Sequence, residues 1–369
     1  MRLFFSAGEA SGDAYAAALF TAIRGAASDS ISVQAVGGKK LRDTGAEIVA
    51  DSADWAAMGI AESAKLFFKV RSGYVRAKAA LAEGTPGVFV PIDFGFVNIK
   101  LARFAKARGW KVVYFSPPGA WRRDKQGADL PHVSDAVITP FSWSAEILCK
   151  MGANAHWFGH PIRQMIRDSK ADDNRETIND KRVAILPGSR KLEIELLLPV
   201  FAESLEKIPE RAEFAVAPTV DLEPLRRKWK ELAPRRDDLL IVGDTYGVLK
   251  RARAAIVCSG TATLEAALCR CPHVVVYKIS KMVQLQLRLV RFSEPYVSQP
   301  NILLQRMAVP ELLQGNAKPD AIAHELRALL EDESKRNAQL QAFDELERLL
   351  GPADAIDKSA KFILGFLQA

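Results

Sequence analysis

Polar residues with acid–base or anion-binding chemistry directly follow several apolar runs of this sequence. Asp93 comes immediately after the run Val88–Ile92. A carboxylate at the carboxyl end of a parallel strand lies where open α/β sheets bind ligands. Desolvation at such a place raises the pKa of an aspartate toward that of a useful general base. The alternative for Asp93 is a surface position or a helix cap.

A glycine-containing segment, Ser6–Asp13, follows the first apolar run. Its glycines, Gly8 among them, permit sharp turns and close approach of a ligand to the backbone. We predict that the first helix begins near Asp13, so that free N–H groups point into the loop. Glu9 is then placed to accept hydrogen bonds from sugar hydroxyls. The alternative is a plain βα turn in which Ser11 or Asp13 caps the helix.

A second turn of this kind, Gly188-Ser189-Arg190, follows the run Val183–Pro187. We predict that Ser189 caps the next helix and that Arg190 lies in its first turn. The helix dipole disfavours a cation there. An arginine in that position therefore indicates a bound anion, such as a diphosphate gripped by two guanidinium N–H groups.

The residues after Ala254–Cys258 repeat this arrangement. The turn Ser259-Gly260-Thr261 presents hydroxyls and amides that a phosphate can approach. Glu265 on the following helix is suited to hold a ribose diol. The alternative is a tight turn followed by an acidic helix start.

Other candidates carry less specific chemistry. Asn301 lies in Pro295–Leu304, which we predict to be an irregular loop that either connects two domains or lines a cleft. His160 lies at a predicted domain junction, where a histidine is more often structural than catalytic. The four cysteines lack zinc spacing, so we expect reduced thiols and no metal site. The sequence shows neither an HExxH nor a Walker A pattern.

Two series of apolar runs would position these residues. Runs rich in Val, Ile and Phe alternate with helical patterns, as expected for parallel strands covered on both faces. The predicted fold is therefore α/β, with two Rossmann-like doubly wound domains facing a cleft and a helical C-terminal region. The predicted boundaries are residues 1–165, residues 166–345, and a final helix at 346–369 that packs back on the first domain. The predicted strands are Leu3–Ala7, Val33–Gly37, Val88–Ile92, Val112–Ser116, Ala136–Thr139, His156–Phe158, Val183–Pro187, Glu213–Ala217, Leu239–Val242, Ala254–Cys258 and His273–Tyr277.

Charge is distributed unevenly along the 369 residues, whose formal net charge is +7. The basic region Lys65–Lys125 contains 13 basic and three acidic residues. Such a region favours a polyanionic partner: an anionic membrane, a phosphorylated substrate or a nucleic acid. The alternative is a solvated basic face. Aromatic residues interleave with these charges at Phe67, Phe68, Tyr74, Phe104 and Trp110.

The composition is that of a globular protein and excludes a disordered chain or a disulfide-stapled one. No run approaches the ~20 apolar residues of a transmembrane helix, and the first residues lack the apolar core of a signal peptide. We therefore expect a cytoplasmic protein.

Taken together and in order, these motifs resemble the lipid-A-disaccharide synthase family (glycosyltransferase family 19). The similarity is collinear from residue 3 to about 345. The segments that carry it are Ala7–Asp13, Ala57–Glu62, Phe158–Pro161, Leu186–Arg190, Ser259–Glu265, Pro300–Leu303 and Val309–Gln314.

The resemblance implies an inverting glycosyltransferase of the GT-B fold, peripheral on the inner face of the inner membrane. Such enzymes join UDP-2,3-diacylglucosamine to 2,3-diacylglucosamine 1-phosphate, giving a β-1,6 disaccharide and UDP, with no cofactor and no obligatory metal. The first domain would then face the acceptor and membrane, and the second would bind the UDP-sugar.

The resemblance also implies roles for individual residues. By motif, Asp93 matches a candidate base and Arg190 a diphosphate-binding arginine. Glu265 matches the acid that holds the uridine ribose, and Asn301 a cleft asparagine. The remaining residues of the implied substrate site are Gly8, Glu9, Ser11, Gly188, Ser189, Ser259, Gly260 and Thr261, with Met58 and His160 as further candidates.

Two departures from the family pattern lie in the predicted acceptor domain. Where the family has a second aspartate three residues after Asp93, this chain has Phe96. We therefore expect burial between Phe94 and Phe96, more than a second carboxylate, to raise the pKa of Asp93. The segment Pro118–Trp121 also departs from the family pattern, so a different acceptor or a changed acyl preference is open.

Other functional classes fit part of the pattern. A nucleotide-sugar 2-epimerase shares the two-domain architecture, but its soluble substrate needs no basic aromatic face. A divergent homologue without activity, binding only lipid or nucleic acid, would not need both Asp93 and Arg190. Nucleic acid is disfavoured because the chain lacks the recognition motifs of such proteins.

Overall fold

The structure is a computed structural model. It describes residues 1–52, 55, 60–169, 182–279 and 295–368, with the backbone alone for 60–66. The chain divides into two units, Met1–Arg167 with Leu350–Ala369, and Asp168–Leu349.

Parallel strands form the sheet of the first unit. They are β1 (Arg2–Ala7), β2 (Ser32–Gly37), β3 (Glu47–Asp51), β4 (Val88–Ile92), β5 (Lys111–Phe115), β6 (Ala136–Ile138) and β7 (Ala155–His156). Their order is β3-β2-β1-β4-β5-β6-β7, so the direction of the strand sequence reverses between β1 and β4. Ala7 is in register with Ile92 at this reversal. The residues after both strands therefore emerge side by side, at the place where doubly wound sheets bind ligands.

The second unit repeats this topology. Its strands are β8 (Val183–Leu186), β9 (Ala212–Val216), β10 (Leu239–Val242), β11 (Ala254–Cys258), β12 (His273–Tyr277) and β13 (Glu311–Leu313). Their order is β10-β9-β8-β11-β12-β13, and every described pairing is parallel. The reversal lies between β8 and β11, the two strands that precede the second and third candidate turns. Both units are thus Rossmann-like, as predicted.

Helices cover both sheets. Those of the first unit are α1 (Ala10–Ala26), α2 (Lys39–Asp43), α3 (Ile60–Ala82), α4 (Gly95–Lys106), α5 (Leu130–Val133), α6 (Ser142–Lys150) and α7 (Pro161–Arg167). The later helices are α8 (Lys191–Leu205), α9 (Leu222–Leu232), α10 (Thr245–Arg251), α11 (Thr261–Leu268), α12 (Gln299–Leu304), α13 (Pro319–Glu331), α14 (Glu333–Leu350) and α15 (Ala355–Gln368), with a short 3₁₀ turn at Gln314–Asn316. Within the described residues, none of these helices is long and apolar enough to cross a membrane.

Alternating side chains of β1 pack on the two faces of the first sheet. Leu3 and Phe5 join a core that includes Ile363 of α15. Phe4 joins the opposite core, with Leu101 of α4. Burying each such side chain contributes about 1.5–3 kcal/mol. The strand that leads into the first candidate loop is therefore fixed from both sides.

One predicted loop differs from the observed structure, and two observed strands were not predicted. The segment Pro295–Leu304 is not wholly irregular, since α12 occupies Gln299–Leu304. A proline is tolerated in the first turn of a helix because its missing N–H has no partner there. The strands β3 and β13 were not predicted, because they are short and carry polar residues.

Candidate functional site

Asp93 occupies a strained backbone turn at the reversal point of the first sheet. Both Asp93 and the following Phe94 have φ of 47°, in the left-handed region that non-glycine residues rarely adopt. Ser116, directly after β5, has φ of 49°. Each such residue costs on the order of 1–3 kcal/mol and persists only where its surroundings hold it. Strain of this kind is typical of ligand-binding and catalytic edges.

Hydrogen bonds hold the Asp93 peptide in place. Its carbonyl oxygen accepts from the Asn98 amide at 3.0 Å and from the Tyr114 hydroxyl at 2.8 Å. The Asp93 N–H donates to the Phe115 carbonyl oxygen at 3.3 Å. Neither Asn98 nor Tyr114 was predicted from the sequence as a site residue. For Asn98 the sequence offered one signal, an asparagine among the apolar residues of α4, five residues after Asp93.

Burial raises the pKa of the Asp93 carboxyl from 3.8 to about 6, with the negative charge of Glu9 as the second cause. A hydrogen bond from the Phe94 N–H acts in the opposite direction. The group is then ionised at neutral pH and is a stronger base than an ordinary aspartate. This is the combination that general-base catalysis requires.

The source of that burial differs from the predicted one. Phe96 is 78% exposed, and the Lys100 ammonium lies 4.0 Å from its ring centroid. Phe96 therefore does not cover Asp93. Phe94 instead packs toward Trp55, with ring centroids 5.6 Å apart. A Cβ on Gly8 would lie 2.3 Å from Phe94 Cγ, so the packing of Phe94 itself requires glycine at that position.

The loop after β1 is shorter than predicted. The helix α1 begins at Ala10 with Glu9 at its N-cap position, so Ser11 lies in its first turn and Asp13 is not a cap of this helix. The Asp13 carboxylate instead accepts from the backbone N–H of Gly38 at 2.7 Å and of Lys40 at 3.0 Å. Asp13 thereby fixes the start of α2. Glu9 is exposed at the sheet edge.

His160 is a structural residue in this geometry. It is buried, packs against the rings of Phe141 and Tyr15, and accepts from the Ile162 N–H at Nδ1. Burial lowers its pKa to about 3, so the ring is neutral at physiological pH. A group that is protonated only in strong acid is too weak a base for general-base catalysis at neutral pH. Met58 lies outside the described residues.

In the second unit, Arg190 is held by a buried carboxylate. It occupies the N-cap position of α8, not the first turn as predicted. Its Nη1 lies 2.9 Å from Oε1 of Glu193, whose side chain is 4% exposed. Gly188 has φ of 100°, and a Cβ there would lie 2.8 Å from Glu193 Oε2. The turn is thus packed on Glu193, with Ser189 exposed beside Arg190.

The turn after β11 combines an open backbone with a carboxylate. Gly260 is the N-cap of α11, with φ of 141°, and no described atom lies within 4 Å of a Cβ placed on it. Thr261 is the first residue of α11, and the Ser259 hydroxyl donates to the Val297 carbonyl oxygen at 2.9 Å. Glu265, one turn later, accepts from the Tyr246 hydroxyl at 3.3 Å. Sequence analysis missed Tyr246, which approaches from the first turn of α10.

Asn301 lies buried inside the second unit. It is fully buried, and its amide donates to the Val309 carbonyl oxygen at 2.9 Å and to Glu311 Oε1 at 2.7 Å. Its side-chain oxygen accepts from the N–H groups of Ala308 and Val309. The expected direct contact with substrate is not supported, because these bonds already use the amide. Asn301 instead orders the segment around α12.

The aromatic residues of the basic region differ in exposure. Phe67 and Phe68 on α3 are 60% and 66% exposed, with ring centroids 5.8 Å apart. Phe104 lies between the cations of Lys78 and Arg108. Trp110, one of the aromatic residues interleaved with the basic charges, is buried in the core and is therefore not available to a polyanionic partner. Of the described helices, α3 therefore carries several exposed apolar side chains, Phe67, Phe68 and Val75, in addition to Phe96 on α4.

The described residues contain no group of three or more His, Cys, Asp or Glu side chains that could hold a metal ion. The first sheet presents the carboxylate of Asp93, whose pKa is raised, at its reversal point. The second sheet presents Arg190, the open backbone at Gly260 and the carboxylate of Glu265 at its own reversal point. The first set suits proton removal, and the second suits a phosphorylated ligand with a diol.

Comparison with known proteins gives one consistent family. A sequence model described as lipid-A-disaccharide synthetase matches residues 3–360. A lipid-A-disaccharide synthase from Koribacter versatilis is 30% identical over 385 residues, covering 100% of this chain and 99% of its own. One from Neisseria meningitidis serogroup C is 34% identical over 381 residues, covering 97% and 96%.

Solved structures share the two-unit fold at low identity. A putative UDP-N-acetylglucosamine 2-epimerase from Listeria monocytogenes has a TM-score of 0.62 at 14% identity, covering 100% of this chain and 96% of its own. MurG from Acinetobacter baumannii has a TM-score of 0.61 at 15% identity, covering 99% of both chains. S. aureus MnaA, solved with UDP, has a TM-score of 0.63 at 11% identity, covering 100% and 98%. At such identities these similarities establish the fold alone.

Proposed function

Because this chain belongs to the lipid-A-disaccharide synthase family of glycosyltransferases, we propose that it joins UDP-2,3-diacylglucosamine to 2,3-diacylglucosamine 1-phosphate with inversion. The observation that carries this proposal is Asp93. It is a carboxylate of raised pKa, held in a strained turn at the ligand-binding edge of a doubly wound sheet.

Asp93 acts as the base. Its carboxylate removes the proton from the acceptor 6-hydroxyl as that oxygen attacks the anomeric carbon of the donor. The new C–O bond forms on the face opposite the bond to UDP, which breaks with its electron pair leaving on the diphosphate. A displacement of this kind inverts the anomeric centre and gives a β-1,6 linkage.

Arg190 acts on the leaving group. Its guanidinium binds the donor diphosphate and stabilises the charge that develops as UDP departs. The phosphates bind at the open backbone of Gly260 and the start of α11 at Thr261, and Glu265, oriented by Tyr246, holds the ribose diol. UDP binding is consistent with the UDP-bound structural neighbour MnaA.

The helix α3 docks on the anionic surface of the inner membrane. Phe68 and Val75, both exposed, are seven residues apart and so lie on one face of the helix, with Phe67 beside them. Basic residues Arg71 and Arg76 flank this stripe. The inserted aromatic rings and the basic residues together strengthen binding to the membrane. Each basic residue near the anionic surface contributes about 1 kcal/mol.

The structure of the product tests the proposal. Purified protein is incubated with both acylated substrates, and the disaccharide is analysed by NMR. We expect a β anomeric coupling and a shift of acceptor C6. An α linkage would contradict inversion, and a 2-epimerised sugar without disaccharide would assign the chain to epimerase chemistry.

A further inference from the structure

We infer that Asn98 is a positioning residue that, together with Ser6 and Tyr114, sets the direction of the Asp93 carboxylate. This inference rests on the proposed role of Asp93 as the base. Asn98 is fully buried, so it acts through Asp93 and does not touch substrate.

The Asn98 side chain joins the two strands that flank the reversal point. Its amide nitrogen donates to the carbonyl oxygens of Ser6, Ile92 and Asp93, each at 3.0 Å. Its side-chain oxygen accepts from the Ser6 hydroxyl at 2.6 Å. The Asn98 side chain therefore joins the end of β1 to the end of β4 and to the Asp93 peptide.

Tyr114 holds the same peptide from the other side. Its hydroxyl donates to the Asp93 carbonyl oxygen at 2.8 Å, and its ring is buried in β5. The Asp93 carbonyl thus accepts from α4 and from β5 together. Two successive left-handed residues remain in place only when such contacts determine their conformation. Loss of the contacts would release the turn and reorient the carboxylate.

Reorientation has a measurable signature. Burial, followed by the negative charge of Glu9 in the loop after β1, raises the pKa of the Asp93 carboxyl, while burial and the charge of Asp93 raise the pKa of Tyr114 on β5. A carboxylate that swings toward solvent loses this environment, and its pKa returns toward 3.8. The acid limb of the rate–pH profile then moves to lower pH while the maximal rate falls.

The experiment compares Asn98→Ala, Ser6→Ala and Tyr114→Phe in the full-length enzyme. The last variant removes one hydroxyl and keeps the buried ring, so it stays informative if Asn98→Ala folds poorly. Thr139→Val is the matched control, since it removes a buried hydroxyl bonded to Ser144 at 2.8 Å elsewhere in the same sheet. We expect kcat to fall about tenfold or more in Tyr114→Phe and further in Asn98→Ala, with KM for the UDP-sugar unchanged and the acid limb displaced downward.

Two outcomes would overturn the inference. In the first, Tyr114→Phe and Asn98→Ala keep the wild-type acid limb and lose no more kcat than Thr139→Val, while Asp93→Asn is inactive; the network is then merely structural. In the second, Asp93→Asn retains turnover, so there is no base to position and the proposed function fails with it.

Discussion

Asp93 combines a strained backbone with a desolvated carboxylate, and both features cost folding free energy. Of the candidate residues, Asp93, Arg190 and Glu265 could be found from their places after apolar strands, because parallel strands align their carboxyl ends. The partners Asn98, Tyr114 and Tyr246 could not. Tyr114 and Tyr246 reach their partners through tertiary packing, and no spacing in the sequence encodes those contacts. Asn98 lies only five residues after Asp93, but its bonds to Ser6 depend on β1 and β4 lying side by side.

The pKa of Asp93 predicts the pH dependence of catalysis. Burial and Glu9 raise it to about 6, and only the ionised form accepts a proton. We expect kcat/KM to be constant above this value and to fall tenfold per pH unit below it. Steady-state rates from pH 4.5 to 8.5 check this. An acid limb near pH 4 would mean that another group, or a solvated carboxylate, is the base.

The same pKa predicts a stability change. Because the folded-state pKa is raised, the fold disfavours the ionised form, and this penalty develops as pH rises from about 4 to 6. Removing the charge in Asp93→Asn should raise stability above pH 6 by about 1–3 kcal/mol, after allowing for solvent screening. Thermal unfolding at pH 8 and pH 4 measures the difference. A gain of equal size at both pH values would assign it to the preference of asparagine for left-handed φ instead.

The pairing of Arg190 with buried Glu193 predicts two separable effects. Arg190→Ala should lose about 10²–10³ in rate. It should also lose up to about 3–5 kcal/mol of stability, because Glu193 is left as a buried charge. The double variant Arg190→Ala/Glu193→Gln should recover stability but not rate. Near-normal turnover in that double variant would remove the diphosphate role from Arg190.

At the scale of elements, strands with a continuous apolar run were predictable, and the short strands β3 and β13, which carry polar residues, were not. The bounds of β4, β11 and β12 agree with the predicted runs, since apolar residues buried on both faces give a continuous apolar signal. The edge strand β10 was also predicted, because all four of its residues are apolar. The strands β3 and β13 lie at the edges of their sheets. An edge strand is less buried and tolerates polar residues, so its apolar signal is weak. The helix α12 was missed because Pro300 and Asn301 are typical of loops.

The exposed rings of α3 predict membrane binding by that helix. Phe67→Ser and Phe68→Ser should each weaken binding to anionic liposomes about tenfold, the loss of one inserted aromatic side chain. Binding should also weaken with salt. Co-sedimentation measures both effects. Met151→Ser, an exposed apolar residue of the same unit outside the basic region, is the control. An equal loss of liposome binding in all three variants would contradict docking through α3. Unchanged binding to neutral liposomes at high salt would contradict attraction to anionic lipid.

At the scale of the whole molecule, each unit repeats one topology and carries a different chemistry at its reversal point. We propose that the first presents a base and that the second presents groups that bind a nucleoside diphosphate. Fold alone does not separate the family's glycosyl transfer from epimerisation, because a putative 2-epimerase is among the structural neighbours of this chain. The distinction depends on whether a second substrate is required.

Release of UDP from the diacylated UDP-glucosamine, followed with and without acceptor, tests the central claim most directly. The wild-type protein should release UDP only when 2,3-diacylglucosamine 1-phosphate is present. Asp93→Asn should release less by a factor of about 10²–10⁴, while its affinity for UDP, measured by calorimetry, stays unchanged. Acceptor-independent release by the wild type, or normal turnover by Asp93→Asn, would contradict the account.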